Sequence, residues 1–331
     1  MSNNFTYVIP VSGFLFPQQL SAMCYLFEKL KTLKIIRSPR LVCSSSGGNV
    51  SAYIAMGSGW EKSNIINTVS TFKSDIFVKS WAPFVPSILL FPLTKTFFRK
   101  SDDPENYIIK RFNKSSITET EIWSGCFNDS EDKNELFCNL SYSDSILKNI
   151  NINLLKETYT NPPNYLDGNI EIIAKTVYAS AALPYITEQV DIHDNKYIDG
   201  GLMYASPFSC LYPAIKSYYT SSSNKYQVFY FSPVLVSVKP SSLVNIEIIS
   251  LLLHGSLIND KNYAIAGLGV NYSHERYENL EFLTSTFIQD KNFVVILSPS
   301  TCKTIDLINV DPNKIIDIIN KPAFICDVYY N

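Results

Sequence analysis

Leu41-Val42-Cys43-Ser44-Ser45-Ser46-Gly47-Gly48-Asn49 is an apolar run that ends in three serines and two glycines. Val50 to Met56 follows with a helix-like pattern that stops near Gly57-Ser58-Gly59. A short strand passing through a small-residue turn into a helix is the context that holds a serine hydroxyl out as a nucleophile. The same unit occurs once before it. Tyr7 to Val11 reads as a strand, Ser12-Gly13-Phe14 opens a loop, and Leu20 to Leu33 carries apolar residues at helical spacing, namely Leu20, Met23, Cys24, Phe27 and Leu30. Two consecutive units of this kind predict an α/β sheet that is largely parallel, with its functional edge at the carboxyl ends of the strands.

The 331 residues, 46% of them hydrophobic, supply one large core, and no linker or internal repeat divides them, so 1–331 reads as a single domain. A net charge of -2 with 18% charged residues provides no field that would draw nucleic acid. Seven cysteines, without a C-x-x-C pair or a histidine at ligand spacing, point to reduced thiols and away from a disulfide framework or a metal site. No positive charge precedes the short apolar stretch at the N-terminus. The expectation is therefore no secretory signal and an intracellular protein, soluble or peripherally attached to membrane.

Further along, Phe77 to Phe98 is rich in Trp81, Phe84, Phe91 and aliphatic residues and is broken by Pro83, Pro86 and Pro92. Its uncharged part, Ser80 to Thr94, is shorter than the roughly 20 residues of a spanning helix. Two readings stand. One is a pair of buried helical pieces beside the core. The other is an interfacial surface, with Trp81, Phe84 and Phe91 as lipid-contacting candidates and Lys79, Lys95, Arg99 and Lys100 meeting headgroups. Ile122 to Cys126 and Glu135 to Leu140 predict a hairpin on an antiparallel edge. Ile170 to Tyr178 fits a helix that leads into the turn Ala179 to Pro184, and Tyr197-Ile198 a strand that delivers Asp199. Helices over 208–217 and 246–253 and strands over 226–231 and 293–298 complete the expected alternation.

A serine at neutral pH needs a base to take its proton as it attacks an acyl carbon. The chain has three histidines, His193, His254 and His274, none in a recognisable motif. Asp199-Gly200-Gly201 offers an aspartate in a tight turn whose glycines keep side chains away from a reacting centre. Asn49 suits either a small polar position behind the serine turn or a helix N-cap. Cys43 reads as a small buried hydrophobe, and His193 as a surface residue.

In motif and order the chain resembles the patatin-like phospholipase family, whose nucleophile lies in G-x-S-x-G and whose base lies in D-G-G or D-G-A after A-S-x-A-x-P. The matching residues are Cys43 to Gly48, Ala179 to Pro184 and Tyr197 to Leu202, within a resemblance that covers about 5–215, with about 225–331 completing the sheet and helices. The resemblance implies a three-layer α/β/α fold with a mostly parallel central sheet. It further implies lipid acyl hydrolysis of the phospholipase A or lysophospholipase type, on phospholipid or lysophospholipid at a transient membrane surface. Ser45 and Asp199 would form the catalytic dyad. Backbone groups of Gly13, Phe14 and Ser46 would stabilise the oxyanion, Gly47, Gly48, Gly200 and Gly201 would shape the turns, and no cofactor or metal would take part. The chain departs from the pattern at Cys43, where the family has glycine, and at Ser12 to Pro17, where it has G-G-G-x-[RK]-G. The alternatives are a patatin-fold binding protein with impaired turnover and a general esterase or acyltransferase.

Overall fold

Parallel strands form the centre of a 10-stranded sheet. The computed structural model describes residues 4–9, 16–32, 38–44, 48–82, 87–148, 159, 162–200, 211, 214–219, 226–232, 256–259, 262–265, 293–297, 309–321 and 324–326. The first unit is β1 (Asn4–Ile9) and α1 (Phe16–Thr32), and the second is β2 (Leu41–Ser44) and α2 (Gly48–Gly57). Then come α3 (Lys62–Ser70), β3 (Val78–Ser80), α4 (Ser87–Thr94), β4 (Phe98–Lys100), α5 (Asp103–Arg111) and α6 (Lys114–Ile117). The middle of the chain gives β5 (Glu121–Asn128), β6 (Lys133–Cys138), β7 (Asn164–Tyr165), α7 (Ile170–Ala179), β8 (Val190–Ile192) and β9 (Asn195–Asp199). The last third gives β10 (Tyr226–Ser232), β11 (Ser256–Asn259), β12 (Asn262–Ile265), β13 (Phe293–Leu297), α8 (Pro312–Ile319) and β14 (Phe324–Cys326).

The strand order is β14-β13-β10-β1-β2-β5-β6-β7. From β13 to β5 every neighbour is parallel. The expected hairpin of β5 and β6 is present, but it is not an edge. All eight residues of β5 are buried, because its other side carries β2 and β9 while β7 extends the sheet beyond β6. Fully buried strands read as near-continuous apolar runs, and Ser124 and Gly125 interrupt the one from Ile122 to Cys126, so its central position was not legible.

Alternation along the strands divides the core. Phe5, Tyr7, Ile9, Val42, Phe229 and Phe231 face a layer built from α1, α2, α3 and α8. Tyr7 sits edge-on to Trp60 at 5.4 Å and to Phe231 at 4.9 Å, contacts worth about 0.5–1.5 kcal/mol each beyond their burial. Trp60 holds a left-handed backbone at φ 64, which a bulky residue adopts only against resistance. Its burial against Tyr7 and its N–H donated to Ala55 O at 2.7 Å fix that conformation just past the end of α2. On the opposite face Thr6 Oγ1 meets Tyr219 OH at 3.4 Å, from a helical segment at 214–219. The helix expected over 246–253 lies outside the described residues.

The segment 77–98 overturns the reading of two buried helical pieces. Its described residues hold one helix, α4, between the antiparallel strands β3 and β4, in register Val78 to Lys100 and Ser80 to Phe98. Leu89 and Leu93 of α4 are 67% and 83% exposed. Trp81 and Phe91 instead hold this arm together. Trp81 Nε1 donates to Thr96 O at 3.1 Å, and Phe91 stacks on Phe97 at 4.6 Å. Phe84 lies outside the described residues.

Candidate active site

Ser44, the residue before the proposed nucleophile, closes β2 with its side chain fully buried. Parallel register pairs Ser44 with Ser124 of β5, so the two hydroxyls share one face of the sheet. Both donate to Oδ1 of Asn49, Ser124 at 2.9 Å. Asn49 Nδ2 donates to Ser180 Oγ at 2.8 Å, and Ser180 Oγ in turn donates to Val177 O at 2.8 Å. Asn49, with no exposed surface, is thus neither a simple cap nor a bystander. It ties the end of β2, the middle of β5 and the C-terminus of α7 into one satisfied polar cluster inside the core, where an unpaired member would be costly.

The Asp199 end of the candidate site is built on the same strand. β9 runs antiparallel to β5, with Cys126 opposite Asp199 and Asn128 opposite Tyr197. Since β6 occupies the other edge of β5 throughout this stretch, β2 and β9 lie on the same edge. They approach each other end to end. Ser44 is level with Ser124 and Asp199 with Cys126, a separation of two β5 positions, or about 7 Å at roughly 3.4 Å per residue. Directly opposed residues point to one face, so the Asp199 carboxylate shares its face with Cys126, Ser124 and Ser44. Asp199 is 1% exposed, and its N–H donates to Ala182 O at 2.9 Å, joining the end of β9 to the A-S-x-A-x-P turn. Gly48, the first residue of α2, and Gly200, directly after β9, are both buried. Ser45, Ser46, Gly47, Gly13, Phe14 and Gly201 lie outside the described residues, as do His254 and His274.

The surrounding thiols are poor competitors for the chemistry. Burial pushes Cys43 and Cys126 well above the ordinary thiol value, with Glu121 adding to the rise at Cys43 and Asp199 at Cys126. Cys43 is 1% exposed on the sheet face away from Ser44 and acts as the small buried hydrophobe its position suggested. His193 is exposed at the turn between β8 and β9, at φ 53. Pro17 is the second residue of α1, not a member of the preceding loop, and in a first helical turn its missing N–H costs nothing. Among the described residues no group of three His, Cys, Asp or Glu is placed to hold a metal.

A family model for patatin-like phospholipases matches residues 13–212, well over half of the chain. The chain belongs to the patatin-like phospholipase family. The match takes in Gly13, the run Cys43 to Gly48, the turn Ala179 to Pro184 and Tyr197 to Leu202. This patatin-like chain accordingly has the family's mixed α/β fold with a mostly parallel central sheet, and lipid acyl hydrolysis is the general chemistry of its family. It is also similar to the crystal structure of VipD from Legionella pneumophila, at 9% identity over 99% of this chain and 68% of that one, with a TM-score of 0.35. A comparison with curated proteins finds no match.

The motif reading did not find Ser44, Ser124 and Ser180 as partners of Asn49. A signal was present. Ser44 and Ser180 lie inside the two motifs, and Ser124 is a polar residue in the middle of an otherwise apolar run.

Proposed function

We propose that this patatin-like protein hydrolyses acyl esters of phospholipids or lysophospholipids through a Ser45–Asp199 dyad and a covalent acyl-enzyme. Ser45 Oγ attacks the acyl carbon while the Asp199 carboxylate takes the hydroxyl proton. Backbone N–H groups of Gly13, Phe14 and Ser46 carry the negative charge of the tetrahedral intermediate. The proton passes to the departing alcohol. Water, activated by Asp199, then cleaves the ester on Ser45, releases the fatty acid and restores the serine. No cofactor enters the scheme.

The reading rests above all on the meeting of β2 and β9 on one edge of β5, which sets Ser44, the residue before Ser45, two β5 positions from Asp199. The buried Asn49 cluster and the bond from Asp199 N–H to Ala182 O support it by fixing both ends. Fatty-acid release from a phospholipid panel tests it. Ser45→Ala should abolish release, and Asp199→Asn should lower kcat/KM by about 10²- to 10⁴-fold with the fold retained. Equal rates in wild type and both variants would sink the dyad. A serine-directed fluorophosphonate that fails to label Ser45 in the wild type would favour the binding-protein alternative.

A further inference from the structure

We infer that the tip of the arm formed by β3, α4 and β4 is a docking surface for bilayers containing anionic phospholipid, a partner whose choice rests on the lipid acyl hydrolase reading above. Of the five large apolar residues that stand exposed among the described residues, two, Leu89 and Leu93, lie one turn apart on α4. Tyr185, a third, is 69% exposed and is joined to the arm by the bond from Phe97 N–H to Tyr185 O at 2.9 Å. Single exposed leucines need no explanation, but two on one short helix, with a third large apolar residue bonded to the same arm, do.

Charge specifies the partner. From Ser80 to Thr94 there is no ionisable side chain, and no Asp or Glu occurs between Asp75 and Asp102. Lys79 and Arg99 are cross-strand partners at the base of the arm, and Lys95 follows α4 directly at φ 57. None of these three makes an ion pair with a described residue, whereas Lys100 is held by Glu105 at 2.8 Å. An apolar tip above a cationic collar fits acyl chains beneath anionic headgroups. A protein partner fits less well. An eight-residue helix is about 12 Å long, and a stable interface covers about 800 Å² on each side.

The arm is bonded across itself and to the segment beside it. Trp81 bonds Thr96, Phe91 stacks on Phe97, and Phe98 N–H and Lys100 N–H donate to Ile186 O at 2.9 Å and to Glu188 Oε2 at 3.0 Å. Residues 185–188 follow the turn that holds Asp199 N–H, so the docking surface is rooted next to the base.

The test is co-sedimentation of the full chain carrying Ser45→Ala, which leaves the lipid intact, with vesicles of phosphatidylcholine alone or with added phosphatidylglycerol. The anionic vesicles should bind about 10-fold tighter or more, and added salt should erase the difference. Leu89→Ser with Leu93→Ser should weaken binding to both by about 100-fold. Lys95→Ser with Arg99→Ser should lower anionic binding to the phosphatidylcholine level. Near-UV circular dichroism confirms the fold of each variant. Undiminished binding of the leucine variant or no preference for anionic vesicles would each overturn the proposal. Turnover of a short-chain ester dissolved as monomers, measured without Ser45→Ala, separates the two readings. Docking without turnover would sink the hydrolase and keep the surface, and turnover without docking would do the reverse.

Discussion

At Asn49 one side chain makes three hydrogen bonds to three serines. Oδ1 accepts from Ser44 and Ser124, and Nδ2 donates to Ser180. Removing one outer member, as in Ser124→Ala, deletes a single bond and should cost about 1 kcal/mol. Asn49→Ala takes the acceptor from two buried hydroxyls, Ser44 and Ser124, and the donor from Ser180, and should cost about 2–4 kcal/mol. Urea denaturation of the two variants checks the order, and equal losses would mean that Asn49 is no hub. Sequence alone offered Asn49 as an N-cap or a small polar position because its partners are 5, 75 and 131 residues away. Only the register of β2 on β5 brings them together. By contrast Asp199 was legible as a candidate base, since its signal is local: a strand, an acid and two glycines in succession.

The strand β5 organises the molecule at the next scale. Its carboxyl half aligns Asp199, and its first residue, Glu121, anchors the chain after β6. Glu121 is 3% exposed and accepts from Trp123 Nε1 at 2.7 Å, Ser145 Oγ at 2.8 Å and Ile146 N–H at 2.7 Å. Burial nevertheless dominates these bonds and raises its carboxyl above the ordinary value of 4.5. A group raised in the folded state contributes stability that is complete below its unfolded value and is lost as pH climbs through the folded one. Glu121→Gln cannot titrate, and its amide turns a donor toward donors. The variant should therefore be less stable than wild type at pH of about 4.5, with the gap narrowing toward pH of about 7. Chemical denaturation across that range would show it, and a gap that widened with pH would contradict the assignment. Most elements were readable from periodicity, because β2, α2, α7 and β10 each carry an unbroken apolar pattern. The arm was not. Apolar composition reports what a segment contains, while exposure depends on whether the rest of the chain covers it, and nothing described covers Leu89 and Leu93.

On the scale of the whole molecule, strand order interleaves distant parts of the chain. β10 lies between β1 and β13, so the N-terminal strand depends on a segment more than 200 residues later for one of its two neighbours. α8 packs on α1 and α3, Ser21 Oγ donates to Lys321 O at 3.1 Å, and Val310 N–H donates to Ser74 O at 2.8 Å. Removing everything after about residue 224 would open the β1 edge from Asn4 to Val8, where unpaired backbone groups invite association with other chains. It would also bare the α1 surface that Ile315, Ile318 and Ile319 help to bury. We therefore expect the full chain to unfold in urea as one cooperative transition, seen alike by far-UV circular dichroism and by the fluorescence of Trp60, Trp81 and Trp123. The shortened chain should lose that transition and aggregate. Were it instead to keep the fluorescence transition at the same midpoint, the sheet from β1 to β9 would be a self-sufficient unit. In that event the last third of the chain would be a second domain laid against it, and the Ser45–Asp199 pair would have to be tested in the shorter protein as well.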